Sequence, residues 1–303
     1  MNRKVRALLW ALMPFVLVEV IQTAASIFMG QWSAALYIYH FHGNTMDEFL
    51  NGFQSDDFIS YFLDGTYLIY SAVALLVFGI YYSHHFYKKA HRKYNRLEVV
   101  DQKLPEPNIS FKGYRIPMII VGVILFVIGM MIVVEYVISA LSVLFPVWLA
   151  EFMELSDASG LDDMTVTTIL YAGIFGPIVE ELGFRGISTE YLKRGFGFWW
   201  TCIIQAVLFG VMHMNALQGC YAFVIGLGLG YVYLKTGNII ITMILHMVYN
   251  LSTSFISYLP WDQVDAMIPS KFMPEVSFVV LVVGLMASYG GSKILAKSKK
   301  GVN

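Results

Sequence analysis

A succession of apolar runs, each about as long as a bilayer is thick, constrains this chain more than any other feature. "LLWALMPFVLVEVIQTAASIFM" (8–29) and "IPMIIVGVILFVIGMMIVV" (116–134) are typical. Runs of 18 or more apolar residues with few charges read as transmembrane helices. Eight spans are expected, at about 7–30, 60–83, 116–148, 165–192, 198–216, 219–235, 238–259 and 273–292. Only 14% of the 303 residues are charged and 57% are hydrophobic, against about 25% charged in soluble domains. The fold class is therefore all-α, a polytopic membrane protein. The first run continues through Met29 without a small-x-small cleavage site, so it is read as a retained helix rather than a signal peptide.

Basic residues orient the spans. With the N-terminus inside, 19 of the 20 Lys and Arg fall on inner segments, and only Lys271 falls outside. Acidic residues lean the other way, among them Asp47, Glu48, Asp56, Asp57, Glu151, Glu154 and Asp157. That asymmetry predicts an even number of spans with both termini cytoplasmic. The chain divides into a two-helix region (1–87), a basic cytoplasmic linker (88–115), a core of six helices (116–295) and a basic tail (296–303). The linker's basic residues could meet anionic lipid, but a topogenic role explains them as well. The bilayer is the expected environment, a bacterial cell membrane the expected location, and no nucleic-acid partner is expected.

Ionisable side chains inside spans are costly and mark functional sites by default. "GPIVEELGFRG" (176–186) places Glu180 beside Glu181, with Arg185 four residues after Glu181, the spacing of a helical ion pair. Such a pair would hold Glu181 charged and leave Glu180 on another face. Spans four and five form a hairpin about "RGFGF" (194–198). Glu180 lies 16 residues before its centre and His213 lies 17 after, which puts the two at matched depth. Span seven adds His246 and Asn250, again i,i+4. A carboxylate with an imidazole can hold and deprotonate a water. A second imidazole with an amide can donate to a forming oxyanion. Other polar or small residues carry plainer readings. Glu19 and Glu135 are interhelical hydrogen-bond partners, "GLGLG" (226–230) is a close-packing stretch, and Cys202 and Cys220 are packing residues.

Three motifs stand in order: Glu180-Glu181-x-x-x-Arg185, Phe209-x-x-x-His213 and His246-x-x-x-Asn250. In this the chain resembles the CAAX-protease and bacteriocin-processing family of intramembrane endopeptidases, of the Ras-converting-enzyme type. The resemblance covers about 115–295. It implies a metal-free glutamate protease in which Glu180 and His213 activate water and His246 and Asn250 form the oxyanion hole. Glu181, Arg185 and Phe209 would support them. The implied substrate is a membrane-associated peptide or protein, prenylated or not, cleaved for maturation or for bacteriocin immunity. No cofactor is expected. Zinc on Glu180, His213 and His246 is the nearest alternative mechanism, although no H-E-x-x-H is present. Proton-coupled transport and a non-catalytic scaffold are the alternatives of other classes; no inverted repeat supports the first.

Overall fold

The computed structural model describes residues 2–40, 45–87, 98–112, 114–160, 165–256 and 273–298. Lys271, part of the linker and the end of the tail lie outside these. Among the described residues the chain is helical, with one isolated β-bridge between Asn108 and Asn238. The helices are α1 (Arg3–Ala11), α2 (Met13–His40), α3 (Met46–Gly52), α4 (Asp56–Tyr82), α5 (Ile116–Leu144) and α6 (Pro146–Ser159). They continue as α7 (Val166–Leu192), α8 (Phe198–Met212), α9 (Ala216–Thr236), α10 (Ile239–Ile256) and α11 (Met273–Ser298). Seven helical segments of the described residues are long and apolar enough to cross a membrane. The protein is an integral, multi-pass, all-α membrane protein.

The count and the boundaries differ from the eight expected spans: the first helical segment runs on to His40 and the last to Ser298, and two runs stop early, each for a local reason. The third run stops at Leu144 because Phe145 leaves helical geometry (φ −135°, ψ 69°) before Pro146 opens α6. A residue that precedes proline is pushed out of the α region, and proline itself fits the first helical turn. The fifth run is only 15 residues long, roughly 22 Å against a hydrocarbon core of about 30 Å. It ends because Met214 takes a left-handed φ of 52° and Asn215 caps α9 by accepting from the Gln218 amide at 3.0 Å. Gly237, with φ of 67°, then closes α9. The side chain of Asn238 starts α10 by accepting from the Ile240 amide at 3.0 Å.

α7 is held between two groups of helices. On one side the N-terminal helices pack directly on it: Pro14 and Phe78 lie against Gly183, Tyr82 lies against Gly186, and Ser188 Oγ donates to the Ala11 carbonyl at 2.7 Å. On the other, α8 and α10 pack on it, and beyond them α5 and α11 meet backbone to backbone through Gly122, Gly129, Gly284 and Gly291, where a Cβ on Gly129 would strike the Ser288 backbone. Small residues at such crossings replace the hydrophobic drive that lipid does not supply. Phe126, Val127 and Met130 of α5 then share a core with Ile225, Leu229 and Val232 of α9 and with Ile241 and Leu245 of α10. The "GLGLG" stretch packs as the sequence suggests, with Gly226 against Ala206 and Gly228 against Phe126.

One end of the bundle gathers the segments that the charge pattern assigns to one side. Lys193 Nζ donates to the Pro105 carbonyl at 2.9 Å, and the Val100 amide donates to the Lys193 carbonyl at 2.9 Å. The Asn108 amide reaches Gly237 O, the Arg115 amide reaches Ser298 O, and Arg194 pairs with Glu98 at 3.2 Å. Lys193 is neutralised below this layer by buried Glu190 at 2.8 Å, which also accepts from Tyr233. These contacts give an orientation test. Cysteine placed at Ser110 should react with an impermeant maleimide only from the cytoplasmic side, and cysteine at Asp157 only from outside. The opposite pattern would invert the assigned orientation.

Candidate active site

The helix that carries both glutamates is not a uniform α-helix. Within α7, Tyr171–Phe175 and Glu181–Ser188 are π-helical. Glu180 ends an α-helical turn and Glu181 opens the wider one. π-Bulges occur mostly as single widened turns and often at functional sites. Here the wider turn brings two adjacent side chains toward one partner. His246 Nδ1 stands 3.0 Å from Glu181 Oε1, and His246 Nε2 stands 3.7 Å from Glu180 Oε2. The carboxylates therefore flank one imidazole instead of pointing along separate faces, as a regular α-helical step suggested.

Their environments nevertheless differ. Glu181 and Arg185 are fully buried and joined at 2.8 Å, as the i,i+4 spacing predicts. Arg185 Nη2 also donates to the Gly226 carbonyl at 3.4 Å, and its guanidinium lies 4.4 Å from the centre of the Phe209 ring. Glu181 Oε2 and Arg185 Nε have no hydrogen-bond partner, so the pair is single-pronged. Glu180 keeps 21% of its side-chain surface accessible. One carboxylate is sealed in and the other can be reached.

Phe209 is the hub of the remaining contacts. Its ring meets those of Phe184, His213 and His246 edge-on, with centroids 5.4, 5.1 and 5.8 Å away. His213 lies four residues on, at the C-cap of α8, and its Nδ1 is 2.9 Å from the Phe209 carbonyl. A carbonyl can only accept, so Nδ1 carries the proton and Nε2 of the neutral ring is left as a base. His213 makes no direct hydrogen bond to Glu180, although Glu180, His246 and Arg185 are near it. Glu181, paired with Arg185, is likewise an acceptor, which fixes the proton of His246 on Nδ1. With that proton on Nδ1, a donor at His246 Nε2, 3.7 Å from Glu180 Oε2, requires the second ring proton. Asn250, one turn beyond His246, donates Nδ2 to the Ala172 carbonyl in the first π-helical stretch at 2.8 Å, leaving a second amide hydrogen.

The structure thus brings Glu180, Glu181, Arg185, Phe209, His213 and His246 together from α7, α8 and α10, and ties Asn250 to the outer half of α7. Two supports are absent from the sequence reading. Gln205 Nε2 donates to Gly226 O and Cys202 O, both at 2.8 Å, and so fixes the carbonyl that receives Arg185. The Ala172 carbonyl holds Asn250. Gln205 was legible as a polar residue in an apolar helix; a carbonyl partner has no sequence signal. Among the described residues no three His, Cys, Asp or Glu side chains are grouped closely enough to hold a metal ion.

Residues 162–252 match the family model described as type II CAAX prenyl endopeptidase Rce1-like. The Rce1-like segment runs from the start of α7 almost to the end of α10 and contains all three motifs in order. The helices before it and α11 lie outside the match. No curated protein and no solved structure matches the chain. Over this segment the chain is similar to CAAX-type membrane proteases, and the buried pair of Glu181 and Arg185 stands there beside Glu180 and His246.

Proposed function

We propose that this protein is an intramembrane endopeptidase, in a bacterial cell membrane, that hydrolyses a peptide bond of a membrane-associated peptide or protein. The observation that carries the reading is an accessible carboxylate, Glu180, beside His246, with the His213 ring nitrogen Nδ1 held on the Phe209 carbonyl and His246 Nδ1 on Glu181. In this reading Glu180 and Nε2 of His213 take a proton from water as its oxygen attacks the scissile carbonyl carbon. The oxyanion that forms is held by Nε2–H of His246 and the second amide hydrogen of Asn250. The C–N bond then breaks as the stored proton passes to the leaving amine. Glu181 and Arg185 touch no reacting atom; they hold His246 in its tautomer.

The test compares newly formed peptide termini in membranes of cells producing wild type and Glu180→Ala at equal levels. Termini present only with the wild type support a protease, and their sequences define the substrate. Identical sets of termini would overturn it. A chelator separates the metal-free route from its nearest rival. Cleavage by purified protein should persist in excess chelator. Loss on chelation and return with added zinc would recast Glu180, His213 and His246 as ligands.

A further inference from the structure

A cavity of about 270 Å³ opens at the basic end of the bundle, away from the glutamates. It is lined by Arg3, Arg6 and Trp10 of α1, by Tyr191 and Arg194 at the end of α7, and by Glu98 of the linker. Three guanidinium groups face it against one carboxylate. Arg194 spends Nη1 on Glu98 at 3.2 Å, while its Nε is buried with no hydrogen-bond partner. Arg3 donates to the Arg194 and Glu98 carbonyls, which orders the wall without cancelling its charge. Arg6 is exposed and makes no ion pair among the described residues. Trp10 stacks on Tyr191 with centroids 5.4 Å apart, and Arg194 lies 5.0 Å from the Tyr191 ring. The wall is therefore rigid, cationic and short of acceptors. Guanidinium groups in such a setting suit a phosphate, whose oxygens match their fork of donors.

The neighbouring flank of α1 names the source of that phosphate. Arg3, Arg6 and Trp10 recur at helical spacing on the cavity side, whereas Leu9, one turn from Arg6, and Val5 open an apolar flank next to it and are exposed at 55% and 45%. An anion held by the arginines therefore lies beside an open apolar stripe, at the depth where Trp and Tyr anchor helices to the interface. A soluble phosphate uses only the first of these faces; an amphiphile uses both. We infer that this cavity binds the phosphate headgroup of an anionic membrane lipid, with its acyl chains along the exposed stripe of α1. Basic pockets at the cytoplasmic ends of membrane helices take headgroups in this way. The inference is independent of the proteolytic reading.

Native mass spectrometry of the full-length protein, released from detergent and titrated with phosphatidylglycerol, should reveal one retained lipid. Arg6→Gln should weaken its retention about tenfold, the effect of one charge-assisted hydrogen bond. Because Arg6 makes no ion pair among the described residues, the lipid-free melting temperature of this variant should match the wild type. Phosphatidylcholine, zwitterionic on the same backbone, should be retained about tenfold less. Equal retention of the two lipids, or of phosphatidylglycerol by wild type and Arg6→Gln, would overturn the proposal. A saturable, Arg6-dependent melting shift with inorganic phosphate, without preference for the anionic lipid, would assign the cavity to a soluble anion and overturn the lipid.

Discussion

Glu180→Gln and His213→Ala are each expected to slow peptide-bond cleavage by roughly 10²–10⁴-fold, the range in which general acid–base groups act, while leaving the fold intact. The expectation rests on accessibility and tautomer. Glu180 is the one of the two adjacent carboxylates with open surface (21% of its side chain), and among the described residues it makes no hydrogen bond, only the 3.7 Å approach to His246. His213 holds one ring nitrogen on Phe209 and presents the other as a base. Groups that activate the same water act as a unit, so the double variant should be little slower than the worse single one. Multiplying losses would mean that the two serve different steps. Protein level and melting temperature must be read alongside. A Glu180→Gln protein that retains more than about a tenth of wild-type activity is incompatible with a general-base role for that carboxylate.

Much of this site was legible because its contacts are local. The four-residue spacing of Glu181 and Arg185 gives the ion pair directly. The same spacing in Phe209 and His213 gives the ring-to-carbonyl bond, although that bond was not read from the sequence. Proline and glycine punctuation places the turns at Phe145 and Gly237; reading the third span through Pro146 ignored a signal that was present. What the sequence withheld depends on distant packing. The widened turn at Glu181–Ser188 lies where Gly183 and Gly186 accept Phe78 and Tyr82 from a helix about a hundred residues earlier. No local pattern announces that, and it decides where both carboxylates point. For the same reason the first two long helices, unplaced by motif, prove to be the wall against which the site helix rests.

Arg185→Ala should cost about 3–5 kcal/mol of stability, the usual penalty for removing one partner of a buried pair. Arg185 and Glu181 have no accessible side-chain surface, so water cannot replace the lost guanidinium. Glu181 would keep His246 at 3.0 Å but no full cation, and Gly226 O and the face of Phe209 would each lose their contact with the guanidinium. Such a loss is a large fraction of the stability of a typical fold. Protein yield and unfolding free energy should therefore fall together, in contrast to Glu180→Gln. Neutralising the orphaned carboxylate separates charge from packing. In Glu181→Gln/Arg185→Met no charge is left unpaired, so this double variant should be more stable than Arg185→Ala, with a coupling of about 0.5–3 kcal/mol between the two positions. Its activity should stay low, because a neutral amide, which can donate as well as accept, no longer fixes the proton of His246 on Nδ1. Unfolding of Arg185→Ala within about 1 kcal/mol of wild type would contradict a structural role for the pair, and full activity in the stable double variant would sever Glu181 from the chemistry of His246.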